Sequence, residues 1–117
     1  MSPHRPARRS YPENRLKPSN GALSLILGNK FPLPVDRNTV AKDWAARGYD
    51  CQPFSDPPGQ QWNGFVHASN ELVTVVEGRL ELLMDGQSLI LGPGDEAFIP
   101  KRLRHSVHNI HDATTLW

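Results

Sequence analysis

Short apolar segments separated by turn residues make up the part of the chain that follows Trp62. Asp85-Gly86 is the strongest hairpin signal, and Gly78 and Gly92-Pro93-Gly94 mark two further reversals. Several short strands at this spacing predict a β-sandwich or a β-barrel. The predicted strands are Phe65–His67, Leu72–Glu77, Arg79–Met84, Ser88–Leu91, Ala97–Ile99 and His105–Ile110.

A short helix is predicted ahead of these strands, with Asn38 or Thr39 as its N-cap and Gly48 as its end. Residues 49–59 are rich in proline and glycine and are predicted to form the loop that enters the barrel. The segment Leu23–Leu27 is compatible with a strand at the edge of the domain, with pairing across a dimer as one option. The apolar stripe of the helix consists of Val40, Trp44 and Ala45.

The first twenty residues contain many prolines and no apolar periodicity, so we expect a disordered basic extension over residues 1–20 and one domain over residues 21–117. The extension is basic, whereas the chain after Val35 has an excess of acidic residues. An Arg-rich start also fits a transit peptide, a twin-arginine signal or a nucleic-acid arm, but the spaced prolines disfavour a targeting helix. A plain extension or an early start codon explains it best.

Length and composition further limit the size of the fold and the classes of site that the chain can form. The 117 residues are enough for one modest core and one pocket. Only 38% of residues are hydrophobic and no apolar run is long enough to span a membrane. Cys51 is the only cysteine, which excludes an intrachain disulfide and a Cys-rich zinc site and fits a cytoplasmic location. We expect this thiol to be a small buried hydrophobe.

Two spaced motifs in residues 59–109 resemble those of the cupin superfamily. The first has Gly, five residues, His-x-His, three or four residues, Glu, six residues and Gly; this chain supplies Gly59, Phe65, His67, Glu71 and Gly78. The second has Gly, five residues, Pro-x-Gly, two residues, His, three residues and Asn; this chain supplies Gly94, Pro100, Arg102, His105 and Asn109. Phe65 thus replaces a histidine and Arg102 a glycine. The block from Trp44 to His67 is also similar to small bacterial single-domain cupins.

The resemblance implies an all-β fold, namely a small cupin (jelly-roll-like) β-barrel with a short N-terminal helix, and a divalent metal held by His67, Glu71 and His105. On a straight strand, His67 and Glu71 would be separated by about 13 Å, so residues 68–70 must turn if both are to meet one ion. Two imidazoles and a carboxylate suit Fe(II), and also Mn, Ni or Zn. Cupins with a full set have a fourth ligand at the position of Phe65. A metal-free, hydrogen-bonded polar cluster is the alternative.

Trp62, Phe65 and Asn109 are the predicted pocket-lining residues, although aromatic residues at a barrel mouth are as often part of the core. Strand alternation places His108 on the opposite face from His105, so we expect it at the surface. A basic loop formed by Lys101, Arg102 and Arg104 is either a solvated turn or a rim that attracts an anion; the solvated turn is the preferred explanation.

The sequence leaves two functional hypotheses, which belong to different classes of protein. The first is a metal-dependent enzyme that oxidises, isomerises or hydrolyses a small polar metabolite. The second is a non-catalytic, metal-free cupin that binds a small molecule or a protein partner, as Phe65 suggests. Nucleic-acid binding through the basic extension ranks last. The resemblance also implies a homodimer, in which outward apolar residues such as Leu72 and Val76 would be covered by the strand around Leu25 of a second copy.

Overall fold

A computed structural model describes residues 25–117, so the predicted extension over residues 1–20 lies outside the described part of the chain. Within the described residues the chain forms one helix and nine short strands. In chain order these elements are β1 (Ile26–Leu27), α1 (Arg37–Ala46), β2 (Ser55–Asp56), β3 (Gln61–Phe65), β4 (Glu71–Thr74), β5 (Leu80–Met84), β6 (Gln87–Leu91), β7 (Glu96–Ile99), β8 (His105–Asn109) and β9 (Thr115–Leu116).

All pairs of these strands are antiparallel within the described chain. One sheet has the order β3-β8-β5-β6, a second has the order β1-β7-β4, and β2 pairs with β9. Inward side chains of the two larger sheets form a single apolar cluster that includes Val73, Leu82, Leu91, Ile99 and Val107. Because both sheets contribute to that cluster, they face each other across one core. The predicted all-β, jelly-roll-like barrel with a short N-terminal helix is confirmed.

The hairpin predicted at Asp85-Gly86 joins β5 to β6. Asp85 and Gly86 have φ angles of 53° and 73°, as a two-residue hairpin turn of type I′ requires. The register that follows pairs Met84 with Gln87 and Leu82 with Leu89. This turn therefore fixes which face of β5 and β6 enters the core.

Helix α1 begins earlier in the chain than predicted. Asp36, rather than Asn38 or Thr39, is the N-cap, because its backbone is extended and its carboxylate accepts a hydrogen bond from the N–H of Asn38. Gly48, with a φ of 88°, follows the last turn as predicted. No helix within residues 25–117 is both long and apolar enough to cross a bilayer.

The helix covers the outer face of the sheet that contains β4. Leu72 is completely buried there in a second apolar cluster, together with Val40 and Trp44 from the helix. Arg47 donates to both oxygens of Glu96, at 3.0 and 2.6 Å, and the indole of Trp44 donates to the same carboxylate at 3.0 Å. Glu96 lies on β7, so these bonds hold the helix against the sheet.

Strand β1 pairs with β7 of the same chain, where Ile26 lies opposite Ala97 and Leu27 opposite Glu96. The edge strand expected at Leu23–Leu27 is thus present at Ile26–Leu27 and pairs within the chain. The expectation that a second copy covers Leu72 is wrong, because α1 already buries that side chain. Strand β9 contains two residues and pairs with β2.

Candidate metal centre

His67, Glu71 and His105 converge inside the barrel from three places in the chain. His67 lies in the loop after β3, Glu71 is the first residue of β4, and His105 is the first residue of β8. The chain bends at Ala68 and Ser69, within the predicted turn, and this bend brings His67 back toward Glu71. One ligand atom from each of the three residues lies within 4.8 Å of the other two. Among the described residues, these three are the side chains that lie close enough together to hold one metal ion.

The two imidazoles face the same carboxylate oxygen. Nε2 of His105 lies 3.5 Å and Nε2 of His67 lies 3.8 Å from Oε1 of Glu71. The two imidazole ring centres are 5.2 Å apart. Ligands about 2.1 Å from one ion stand roughly 3 Å apart, so small inward shifts of these side chains would complete a coordination set. Glu71 and His105 are each 2% exposed, which shields the centre from bulk water.

The tautomer of His105 is set by a backbone carbonyl. Nδ1 lies 3.0 Å from the oxygen of Leu103, and because a carbonyl only accepts, Nδ1 carries the proton. In the neutral ring, Nε2 is then the unprotonated nitrogen and points into the centre, the arrangement typical of a histidine ligand. Burial lowers the pKa of His105, whereas its hydrogen bonds with Glu71 and Leu103 and the charge of Glu71 raise it, and the resulting pKa lies above the ordinary value of 6.5.

Phe65 forms one wall of this centre at the position of the fourth cupin ligand. Its ring is nearly parallel to that of His67, with centres 6.0 Å apart, and its centre lies 6.4 Å from that of His105. A phenyl ring offers no lone pair, so the described chain supplies three candidate ligands here and an apolar surface in place of a fourth. The chain therefore departs from the family motif at the centre itself, where Phe65 stands in place of a histidine.

A β-bulge turns Phe65 inward. Trp62 pairs with Val107, but Phe65 pairs with His105, so Asn63 and Gly64 together face a single residue of β8. In a regular strand, Trp62 and Phe65 are three positions apart and would point to opposite faces. With the bulge, their ring centres are 6.3 Å apart on the inner side. Gly64 has a φ of 69°, and the Asn-Gly pair within a strand is the sequence signal from which this bulge could have been predicted.

Trp62 and Asn109 are anchored by hydrogen bonds on the inner side of the barrel. The indole of Trp62 donates to Asp56 at 3.0 Å, and Asp56 also accepts from the indole of Trp117 at 2.9 Å. Asn109, at the far end of β8 from His105, donates to three backbone carbonyl oxygens and accepts from Thr115 at 2.7 Å. These bonds fix the loops that close the barrel. The pocket-lining role of both residues stays a prediction.

The remaining histidines and the cysteine of the described chain lie away from the centre. His108 points outward, where it contacts Asn63 at 2.6 Å and Glu81 at 3.6 Å, as strand alternation predicted. His111 lies 3.6 Å from exposed Asp112. Cys51 is exposed, so the expectation of a small buried hydrophobe is wrong. Its loop lies beside α1 rather than inside the barrel.

Comparisons with known proteins identify the family of this fold. The model of the cupin domain family matches residues 54–117. The solved TT1209 protein of Thermus thermophilus is 28% identical over 55% of this chain and 62% of its own, with a TM-score of 0.52. A Cupin 2 conserved barrel domain protein from Salinispora arenicola CNS-205 is also 28% identical, over 55% of this chain and 54% of its own, with a TM-score of 0.51.

A third solved relative has a named activity. It is a sugar phosphate isomerase of the cupin superfamily from Silicibacter pomeroyi DSS-3, 26% identical over 73% of this chain and 64% of its own, with a TM-score of 0.50. The chain thus spans between 54% and 64% of the length of these three relatives. No curated protein matches the chain.

Proposed function

Because this chain belongs to the cupin domain family, we propose that it is a metal-dependent enzyme acting on a small polar metabolite. One divalent transition metal, Fe, Mn, Ni or Zn, would be held by His67, Glu71 and His105. The observation that supports this proposal is the convergence of three buried ligand atoms within 4.8 Å from separate parts of the chain. A bound ion would supply a Lewis acid that polarises a substrate oxygen or activates a water.

The surrounding residues prepare the centre for this chemistry. The Leu103 carbonyl keeps Nε2 of His105 directed at the centre, so the ligand does not need to reorient on binding. The carboxylate of Glu71 contributes the negative charge that offsets a divalent cation. Phe65 closes one side with an apolar ring, which excludes water there and leaves the remaining positions for substrate oxygens.

Isomerisation of an anionic, hydroxylated substrate is the first reaction to examine. The relative from Silicibacter pomeroyi is named a sugar phosphate isomerase. Interconversion of an aldose and a ketose moves hydrogen between the carbonyl carbon and the hydroxyl-bearing carbon beside it. Lys101, Arg102 and Arg104 precede His105, and the backbone N–H of Arg102 donates to the carbonyl of His67 at 2.7 Å. This basic turn thus borders the centre, where it would attract an anionic group.

Elemental analysis of purified protein tests the proposal. Chelator-treated protein is supplied in turn with Fe(II), Mn(II), Ni(II) and Zn(II), desalted, and analysed beside His67→Ala, His105→Ala and the control His108→Ala. We expect close to one metal per chain in the wild type and in His108→Ala, and loss of it in the other two. Wild-type protein that stays folded yet retains none of the four metals would reject the metalloenzyme.

Phe65 favours a second candidate, a metal-free cupin that binds a small molecule or a protein partner without chemistry. Loss of the fourth ligand lowers metal affinity, and an aromatic wall suits ligand binding. This candidate predicts sub-stoichiometric metal in every condition above. It is distinguished from the enzyme because metabolites would then bind equally well with and without chelator present.

We also propose that the protein forms a homodimer through the edge of β6, which among the described strands pairs with β5 alone. This strand is at the end of its sheet, carries no charged residue and exposes half of Ile90. Sedimentation velocity at micromolar concentration tests this idea. A dimer in the wild type that dissociates in Ile90→Lys supports it, and a wild-type monomer contradicts it.

A further inference from the structure

A groove between α1 and the barrel lies on the opposite side of β4 from the metal centre. Successive side chains of a strand point to opposite faces, so Glu71 faces the barrel interior and Thr74 faces the helix. Burial agrees, because Val73 belongs to the inner cluster and Leu72 to the cluster under the helix. The groove has a volume of about 150 Å³. It is therefore physically separate from the site considered above.

The walls of the groove are mainly apolar. Val40 and Trp44 come from the helix, whereas Val76 and Trp117 come from the barrel side. Among the described residues that line the groove, Arg37 carries a charge. Apolar and aromatic walls with few polar groups are typical of small-molecule pockets, in which the polar groups fix the orientation of the ligand.

Thr74 places an unsatisfied hydroxyl on the wall of this groove. The residue is 2% exposed, and its Oγ1 has no hydrogen-bond partner among the described residues. Buried polar groups in folded proteins are nearly always hydrogen-bonded, and an exception calls for a missing partner. A molecule bound in the groove would be in position to supply that partner.

We propose that this groove binds a single-ring aromatic molecule that carries one oxygen-containing hydrogen-bonding group. A cavity of about 150 Å³ is the size that accommodates benzene in an engineered protein core. Trp44 and Trp117 line the groove and are 1% and 2% exposed, so each would present a small part of its indole to such a ring. The oxygen of the ligand meets the hydroxyl of Thr74, which can either donate or accept. Such binding is independent of whether the barrel centre holds a metal.

Cys51 provides a direct measurement of binding, because it is the only cysteine of the chain, is exposed and lines the groove. The rate of its reaction with Ellman's reagent is measured on the full chain with increasing benzyl alcohol, and with toluene as the analogue without oxygen. We expect saturable slowing by benzyl alcohol and about five- to tenfold weaker protection by toluene, the ratio typical of one hydrogen bond.

Thr74→Val keeps the shape of the side chain and removes the hydroxyl, so benzyl alcohol and toluene should then protect Cys51 equally. Thr114→Val, an exposed threonine outside the groove, is the matched control and should behave as wild type. Ala41→Leu, which fills the groove, should abolish protection if Thr74→Val does not fold. Absence of protection in wild type up to the solubility limit, or full discrimination retained in Thr74→Val, would overturn the proposal.

Discussion

The backbone N–H of Arg102 donates a hydrogen bond to the carbonyl oxygen of His67 at 2.7 Å. This bond joins the loop that carries His67, the first predicted histidine ligand, to the loop that precedes the second, His105. A parallel bond runs from the N–H of Lys101 to the side chain of Asn70 at 2.8 Å. Together these bonds hold the two predicted ligand loops side by side, so the position of His67 depends on the backbone of residues outside the ligand set.

Arg102 makes this bond in a strained conformation, with a φ of 65°, at the position where the cupin motif has glycine. We predict that Arg102→Gly raises the free energy of unfolding by about 0.5–1 kcal/mol, because glycine adopts this conformation without steric cost. Urea denaturation measures the change. Lys101→Gly, one residue earlier and without a positive φ, is the control and should lower stability. A less stable Arg102→Gly variant would show that the arginine side chain compensates for the strain.

Phe65→His should tighten metal binding. Phe65 lies beside both imidazoles, so a histidine there adds a fourth ligand, and we expect at least roughly a tenfold rise in affinity for Ni(II) or Zn(II). Competition with a chelator of known affinity measures this change. Phe65→Leu keeps three ligands and an apolar wall and should bind as wild type does. Equal affinities of the histidine and leucine variants would contradict a fourth ligand at position 65.

The stability of chelator-treated protein should depend on the protonation of His105. Its pKa in the folded state lies above 6.5, so the protonated form is favoured by folding. The corresponding stabilisation is fully present below about pH 6.5 and is lost as the pH rises through the folded pKa. Urea denaturation at several pH values should therefore show a decrease in this range that is smaller in His105→Gln. Identical profiles of the two proteins would contradict the assignment.

Arg47→Met should destabilise the attachment of α1. Glu96 is 1% exposed, and removal of its arginine takes away the cation that compensates a buried carboxylate. Loss of one member of a buried ion pair costs about 3–5 kcal/mol, which thermal or urea unfolding detects readily. Lys42→Met, at an exposed position of the same helix, should change stability little. Adding Glu96→Gln to Arg47→Met should restore part of the loss, since the buried charge is then removed.

The sequence was sufficient to predict the barrel, the hairpin at Asp85-Gly86 and the three clustered side chains. Turn residues and short apolar segments are local signals, and the motif spacing relates His67, Glu71 and His105 without knowledge of the path between them. The distances within this cluster agree with the turn predicted at residues 68–70. What the cluster binds is a chemical question, which the proposed metal measurements address.

Features that depend on distant contacts were not predictable. Asp36 caps the helix because the chain is extended there, whereas Asn38 and Thr39 are equally good caps by residue type. The covering of Leu72 by α1 depends on how the helix is held by Arg47 and Glu96, which are far apart in sequence. The exposure of Cys51 depends likewise on where its loop lies, and it runs against the usual burial of cysteine.

The bulge at Asn63-Gly64 explains how two side chains an odd number of residues apart can both face the interior. In a regular strand, Trp62 and Phe65 are three positions apart and would point to opposite faces, whereas the bulge places two residues opposite one residue of β8 and so returns Phe65 to the inner face. Deleting Asn63 or Gly64 would remove the bulge but leave the two aromatic residues two positions apart, so both would still face inward. The aromatic wall of the centre therefore tolerates the loss of this one residue, whereas a change that straightened β3 at constant length would turn one of the two rings outward.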